Sequence, residues 1–235
     1  MIHALDFSAG ARDITPAWAQ KQKEDGYSLM ISQLWGGWSK NDHAEKALTI
    51  CKGAGHQIAG YTYLTENYPG AYHVQRAKEA AGERWGDLKW LAIDCEFQGL
   101  TLGTIDEAVA EAENEGVHPI IYTGEWFWRG SMGNPQMFNN MQLWTTYYNG
   151  TLDLGDVPLY GGWGKVYGKQ LKGTTYIDGI GCDLNVFEDD EEKTEPPTYP
   201  DWIHEFWNQA KSLGGGTLAE NIERSIRIMK GEEEL

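Results

Sequence analysis

Trp90-Leu91-Ala92-Ile93-Asp94-Cys95-Glu96-Phe97 is the stretch from which the rest of the chain can be read. An apolar, β-capable run leads into it and Gln98-Gly99 punctuates its exit, so the spacing predicts a short strand over 90–97. Residues two apart on a strand share a face, so Asp94 and Glu96 project together while Cys95 points away. No Lys or Arg lies within the stretch to neutralise the pair. A second carboxylate close by raises the cost of ionising both, which keeps one acid protonated near neutral pH. Such pairs serve general acid–base cleavage of glycosidic bonds. A solvated acidic strand end is the other reading of these eight residues, because pairs at this spacing are common.

On either side, strand patterns alternate with helix patterns. Strands are expected over 2–7, 27–35, 57–64, 117–122, 142–147, 167–171 and 181–187. Helices are expected over 16–25 behind Thr15 and Pro16, over 43–52 capped by Asp42, over 71–85, and over 104–115 behind a Thr104/Glu107 capping box. A looser region over 124–140, crowded with Trp126, Phe127 and Trp128, has room for one short helix, and the helices run out after the fifth strand. Strand then helix, repeated every 25–30 residues, is the pattern of parallel βαβ units. The expected fold class is therefore α/β, a TIM-like (β/α) barrel of eight strands with its last helices shortened or lost. The C-terminal strand ends of such a barrel form its active face. Asp6, Tyr61, Tyr63, Asp94, Glu96, Tyr122, Trp144, Gln170 and Asp183 all fall at or near C-terminal strand halves on this reading, so four acids converge from three separate strands.

Composition narrows the partners. The 235 residues carry 19 basic and 35 acidic side chains, a net charge of −16, which argues against unaided binding to nucleic acid or anionic lipid. Hydrophobic content of 41% suffices for a core. Eleven Trp and twelve Tyr exceed what a core of this size needs, and aromatic faces are platforms for sugar rings. Trp38 and Trp126 follow expected strand ends and are candidate platforms, whereas Trp35, Trp128 and Trp163 suit either core or groove. Three cysteines at irregular spacings make neither a disulfide framework nor a zinc site, and Cys95 and Cys182 read as buried small hydrophobes. The six His show no metal-ligand spacing and suit surface or capping positions. No cofactor is expected. Neither a secretory leader nor a spanning segment is evident, so the expectation is synthesis in the cytoplasm, no membrane insertion, and delivery by other means if the substrate lies outside.

Seven motifs in order resemble glycoside hydrolase family 25, the Chalaropsis-type lysozymes, in register from about residue 2 to 187. They are Leu5-Asp6-Phe7-Ser8, Gly60-Tyr61-Thr62-Tyr63, Gln75-Arg76-Ala77, Ile93-Asp94-Cys95-Glu96, residues 116–123 ending in Tyr122-Thr123, Leu143-Trp144-Thr145-Thr146-Tyr147, and Gly181-Cys182-Asp183-Leu184-Asn185-Val186-Phe187. The resemblance implies a modified barrel with about five helices around eight strands. It also implies hydrolysis of the β-1,4 bond between N-acetylmuramic acid and N-acetylglucosamine in bacterial peptidoglycan, as in many phage endolysins that act on the wall after release. Glu96 then matches the general acid, Asp94 the second acid of the D-x-E motif, and Asp6 and Asp183 the rest of the acidic cluster. Tyr61, Tyr63, Tyr122 and Trp144 match groove aromatics, and Gln170 the strand-seven Gln. With Asp94 and Glu96 on one strand face, the acetamido group of the substrate could serve as internal nucleophile, positioned by Asp94. A barrel that binds wall glycan without cutting it, in a virion or surface assembly, is the alternative.

Two departures stand out. The Gln expected soon after the opening Asp is missing from Ala9-Gly10-Ala11-Arg12-Asp13, and the aromatic expected before Gln170 is Lys169. Composition changes at Glu188, where an acidic, Pro-containing linker over 188–200 is expected to end the catalytic region of 1–187. Two amphipathic helices are expected in an appendage over 201–235: Trp202 and Phe206 mark the first, and Leu218, Ile222, Ile226 and Met229 the second. Helices this short are marginal alone, so they dock on the barrel, oligomerise or bind a partner.

Overall fold

The computed structural model describes residues 1–189. The expected linker past its first two residues, and the expected two-helix appendage, lie outside the described residues. Eight strands close into a barrel in sequence order. They are β1 (Ile2–Phe7), β2 (Leu29–Trp35), β3 (Gln57–Tyr63), β4 (Leu88–Asp94), β5 (Pro119–Thr123), β6 (Leu143–Thr146), β7 (Gly168–Ile177) and β8 (Ile180–Phe187). Among the described residues five α-helices accompany them: α1 (Pro16–Glu24), α2 (Ala44–Gly53), α3 (Gly70–Ala81), α4 (Leu102–Asn114) and the six-residue α5 (Glu125–Gly130). Among the described residues no helix is long and apolar enough to cross a membrane.

Neighbours from β1 to β7 pair in parallel, as the βαβ pattern predicts. β8 does not. It runs antiparallel to both β7 and β1, because Asp178-Gly179 turns the chain straight back. Both turn residues have positive φ, 49° and 87°, the conformation that an Asp-Gly hairpin turn favours. Asp183 therefore lies in the first half of its strand and not the last, and the reversed direction is what brings it to the rim shared by the other acids. The tip of this hairpin is fastened to α1, where Trp18 Nε1 donates to Ile177 O at 2.9 Å and Lys21 pairs with Asp178 at 2.8 Å.

Alternate residues of each strand fill the barrel, from Ile2 and Ala4 through Leu29, Ile31, Trp90, Ala92 and Ile120 to Phe187. Trp90, Trp144 and Phe187 plug it, with ring centroids 5.4 to 5.8 Å apart. Gly168 makes room for that plug, since a Cβ there would stand 2.2 Å from the Phe187 ring. Outside, α3 meets α4 at Gly70, where a Cβ would stand 2.0 Å from Thr104 O. Cys51, Cys95 and Cys182 are free and buried, in line with the reading of Cys95 and Cys182 as small hydrophobes.

Several local expectations are corrected. α4 starts earlier than expected: its cap is Thr101, whose Oγ1 accepts from Thr104 N at 3.1 Å. Glu107 instead reaches across to accept from Gly70 N at 2.9 Å. α2 is preceded by His43 with no side-chain cap, while Asp42 pairs with Lys40. The expected helix over 71–85 breaks at Gly82, whose φ of 55° no α-helix tolerates, and continues as a 3-10 turn, Gly82–Asp87. His56 and His73 are buried and not on the surface, with His73 accepting from Trp35 Nε1 at 2.9 Å.

Candidate active site

The alternation that builds the core also builds the site. Inward positions run Ile2, Ala4, Asp6 on β1 and Trp90, Ala92, Asp94 on β4, so the apolar plug gives way to acids at the C-terminal end of the barrel. Tyr61 follows Ala59, Tyr122 follows Ile120, and Gln170 follows Gly168. On β8, Phe187, Asn185 and Asp183 climb to the same rim in reverse chain order. A cavity of about 100 Å³ results, lined by Asp6, Tyr61, Asp94, Glu96, Tyr122, Trp144, Gln170 and Asp183.

Glu96 lies two residues beyond the end of β4, where the sequence pattern had extended the strand. The backbone nevertheless stays tied to β5, as Cys95 N donates to Tyr122 O at 2.9 Å and Thr123 Oγ1 donates to Cys95 O at 3.1 Å. Cys95 is buried on the outer side, and Glu96 shares the cavity with Asp94. The expected pairing of the two acids holds, although a tethered loop and not a strand delivers the second.

Asp6 and Asp183 are held by hydrogen bonds from Asn185, Gln170 and Thr174. Asp6 Oδ2 accepts from Asn185 Nδ2 at 2.7 Å and from Gln170 Nε2 at 3.1 Å. Gln170 Nε2 also donates to Asp183 Oδ2 at 3.0 Å, and Thr174 N donates to Asp183 Oδ1 at 2.6 Å. The orientation of the Gln170 amide is fixed at its other end, where Oε1 accepts from Tyr122 at 3.3 Å and Tyr148 at 2.6 Å. In contrast, Asp94 Oδ1 and Glu96 Oε1 are buried without a protein hydrogen-bond partner.

Burial is the first cause of a raised pKa at every one of these acids, and no Lys or Arg offsets it. Glu96 is pushed up to about 7, partly opposed by the Gly124 N–H. Asp6 also rises to about 7 through burial and then the Asp183 charge, against the pull of Asn185 and Gln170. Asp94 lies well above the ordinary carboxylate range, from burial first and then its neighbours Glu96 and Asp6. Asp183 is raised by burial and partly lowered by the Thr174 N–H. The site thus holds protons near neutrality, as general acid chemistry requires.

Tyr63, Trp38 and Trp126 lie outside the cavity lining. Tyr63 and Trp38 form a flank with Phe97, with centroids 5.7 to 6.3 Å apart, and Trp38 is 56% exposed. Trp126 is 64% exposed beside Phe127. Trp35, Trp128 and Trp163, open between core and groove in the sequence, are buried. A second cavity of about 450 Å³ continues from Asp6, Tyr61 and Asp183, between residues 8–13 and the β7–β8 hairpin, so the acids sit inside a longer trough. Sequence reading missed Asn185, Tyr148 and Thr174. Asn185 was recoverable, since it shares a face with Asp183; Tyr148 and Thr174 sit in a loop and an irregular strand segment and left no periodic signal.

No family model matches the chain. Among curated proteins it is 26% identical over 198 residues to "Probable GH family 25 lysozyme 3" of Dictyostelium discoideum, a match covering 79% of this chain and 41% of that protein. It is 27% identical to "Counting factor 50" of the same organism, over 67% of this chain and 57% of that protein. The chain therefore spans about half the length of these curated relatives. Its fold matches the muramidase from Acremonium alcalophilum with a TM-score of 0.68 at 21% identity, over 81% of this chain and 95% of that one. It matches a bacterial lysozyme from Streptomyces coelicolor at 0.65 and 17%, over 80% and 92%. The CTP1L endolysin has the same fold, with a TM-score of 0.60 and 14% identity, over 100% of this chain and 71% of that one. The first of these sequence relatives carries the family name that the ordered motifs resemble, and the solved structures share the barrel.

Proposed function

We infer, for a chain similar in sequence and barrel to glycoside hydrolase family 25, an N-acetylmuramidase that cleaves the β-1,4 bond between N-acetylmuramic acid and N-acetylglucosamine in peptidoglycan. The observation that carries this reading is the pair of partnerless carboxyl oxygens, Asp94 Oδ1 and Glu96 Oε1, facing one small cavity beneath an aromatic rim. Burying such atoms costs free energy unless a ligand completes them, so the fold maintains the expense for a function.

In this mechanism Glu96, protonated up to about pH 7, donates its proton to the leaving oxygen. Asp94 holds the acetamido group of the substrate, which attacks the anomeric carbon from within the sugar as the leaving oxygen departs; water, giving a proton back to the Glu96 carboxylate, then opens the cyclic intermediate and leaves a reducing end. Asp6 and Asp183, spaced by the Gln170 amide, supply negative potential to the oxocarbenium-like state. Tyr61, Tyr122 and Trp144 wall the sugar, while Tyr63, Trp38 and Trp126 receive flanking sugars. Trapping a covalent glycosyl-enzyme would overturn the internal-nucleophile step and leave the reaction class intact.

Purified walls incubated with the protein should release new reducing ends that are muramic acid, identified by mass after borohydride reduction. Glycan binding without such ends would support the non-cutting barrel instead. The finer reading is a phage endolysin, supported by the resemblance and by the similarity to an endolysin fold. Expression inside a susceptible bacterium should then be harmless until a membrane-permeabilising protein is co-expressed, and lysis on expression alone would count against it.

A further inference from the structure

Lys169, which stands where the family resemblance leads one to expect an aromatic, is fully buried. An ammonium in that position must replace its water with acceptors. The segment between β6 and β7 supplies four. Lys169 Nζ donates to Asn149 Oδ1 at 3.3 Å, Thr151 Oγ1 at 3.2 Å, Asp153 O at 2.5 Å and Asp156 Oδ1 at 2.9 Å. Asp156 accepts in turn from Thr151 Oγ1 and from Asn149 Nδ2. The Thr151 bond, then that of Lys169, holds its carboxyl down at about 2, so it stays charged at any working pH. Residues 149–156 wrap one internal cation much as a loop wraps a metal ion.

This wrapping fixes the backbone beside Tyr148. Lys169 points outward from β7 and Gln170 inward, so the strand that anchors the loop also carries the amide that the loop touches. Tyr148 donates to Gln170 Oε1 at 2.6 Å, yet the residue as a whole remains 62% exposed. The ring borders a depression of about 680 Å³ lined with Gly150, Leu171, Lys172, Gly173 and Thr174. An exposed aromatic pinned at its hydroxyl end has little freedom left to lose when a flat ligand stacks on it.

We propose that Tyr148 is a substrate-contacting specificity residue, offering its ring to an N-acylated sugar in this depression, and that Lys169 is its positioning residue. The assignment rests on the muramidase reading for the identity of the ligand.

The test is a double-mutant cycle on soluble, peptide-free wall glycan. Tyr148→Ala lowers kcat/KM about tenfold or more, the size of one lost stacking or hydrogen-bonding contact, with most of the loss in KM. Lys169→Met reproduces that loss in wild type and adds little once Tyr148 is Ala, because both changes remove the same presentation. Where Lys169→Met does not fold, Asp156→Asn loosens the same loop and carries the same expectation. Equal losses from Lys169→Met in both backgrounds, or Tyr148→Ala kinetics within twofold of wild type, would overturn the proposal. Should the wild type release no reducing ends, the muramidase reading fails, and the affinity of the same glycan by tryptophan quenching decides this one. A tenfold weakening in Tyr148→Ala supports it and unchanged affinity defeats it.

Discussion

Asn185 Nδ2 donates to Asp6 Oδ2 at 2.7 Å across the antiparallel seam that closes the barrel. The same Asn accepts from Trp144 Nε1 at 3.0 Å, so one amide couples a wall of the site to an acid at its floor. The bond opposes the burial and the Asp183 charge that lift Asp6 to about 7. Asn185→Leu removes that opposition, and the Asp6 pKa rises further. If ionised Asp6 assists the reaction, the acid limb of the kcat/KM profile moves to higher pH. Activity at pH 6 should fall about tenfold, roughly one charge-assisted hydrogen bond, with a smaller loss at pH 8. A limb that stays in place would remove Asp6 from the mechanism.

Glu96→Gln keeps the shape of the side chain and removes its transferable proton. Reducing-end release should drop roughly 100- to 10,000-fold, the range for a general acid, while glycan affinity is retained. In the wild type the alkaline limb should fall near pH 7, because the working form is protonated and Glu96 loses its proton there. Kinetics on defined wall fragments between pH 4 and 9 read both effects.

Thermal stability should peak on the acid side of neutrality. Glu96, Asp6, Asp94 and Asp183 all have folded-state values above their unfolded ones, so the folded chain binds more protons. Their contribution is most favourable below about pH 4, and that of Asp6 and Glu96 is lost as pH rises through about 7. Asp6 alone could account for roughly 4 kcal/mol at most, from a shift of about three pH units. Asp87, Asp156 and Asp178 act in the other direction: their depressed values lend stability above about pH 4 that is lost in stronger acid. The midpoint by circular dichroism should be several degrees higher at pH 5 than at pH 8, and Asp6→Asn should flatten the difference. Equal midpoints at the two pH values would contradict the burial of charge in the site.

Thr174 holds φ at 42°, a left-handed conformation that β-branched residues avoid, and from there its N–H reaches Asp183. The register of β7 on β8 shifts on both sides of Lys172, which frees this N–H from the ladder. Thr174→Gly should relieve about 1 kcal/mol of strain, keep the bond and keep activity. Thr174→Pro deletes the donor and, because proline holds φ at about −65°, also turns the backbone out of its left-handed conformation, so both stability and kcat should fall. Denaturant melts and kinetics on the Gly variant read the strain with the donor kept, and a Gly variant as impaired as the Pro variant would refute this account.

Much of the site was legible because a strand has period two and the core has one inside. Once Trp90 and Ala92 are assigned to the barrel interior, Asp94 must follow them, and the same counting places Asp6, Tyr61, Tyr122 and Gln170. Counting fails where the period is broken. β4 stops at Asp94, the cap of α4 is Thr101 rather than Thr104, and Gly82 interrupts a helix whose apolar pattern runs on.

The sequence by itself determined the barrel, the meeting of Asp6, Asp94 and Glu96 at one rim, and the absence of any cation in the stretch that carries two of them, since these follow from alternation and composition along the chain. Only the tertiary structure decided that β8 runs backwards, that Asn185, Gln170 and Thr174 hold two acids while Asp94 and Glu96 keep free oxygens, and that Lys169 is an internal anchor. Those facts depend on pairs such as Asn185 and Asp6, far apart in the chain, and on where burial strips water from a charge, which no local pattern encodes.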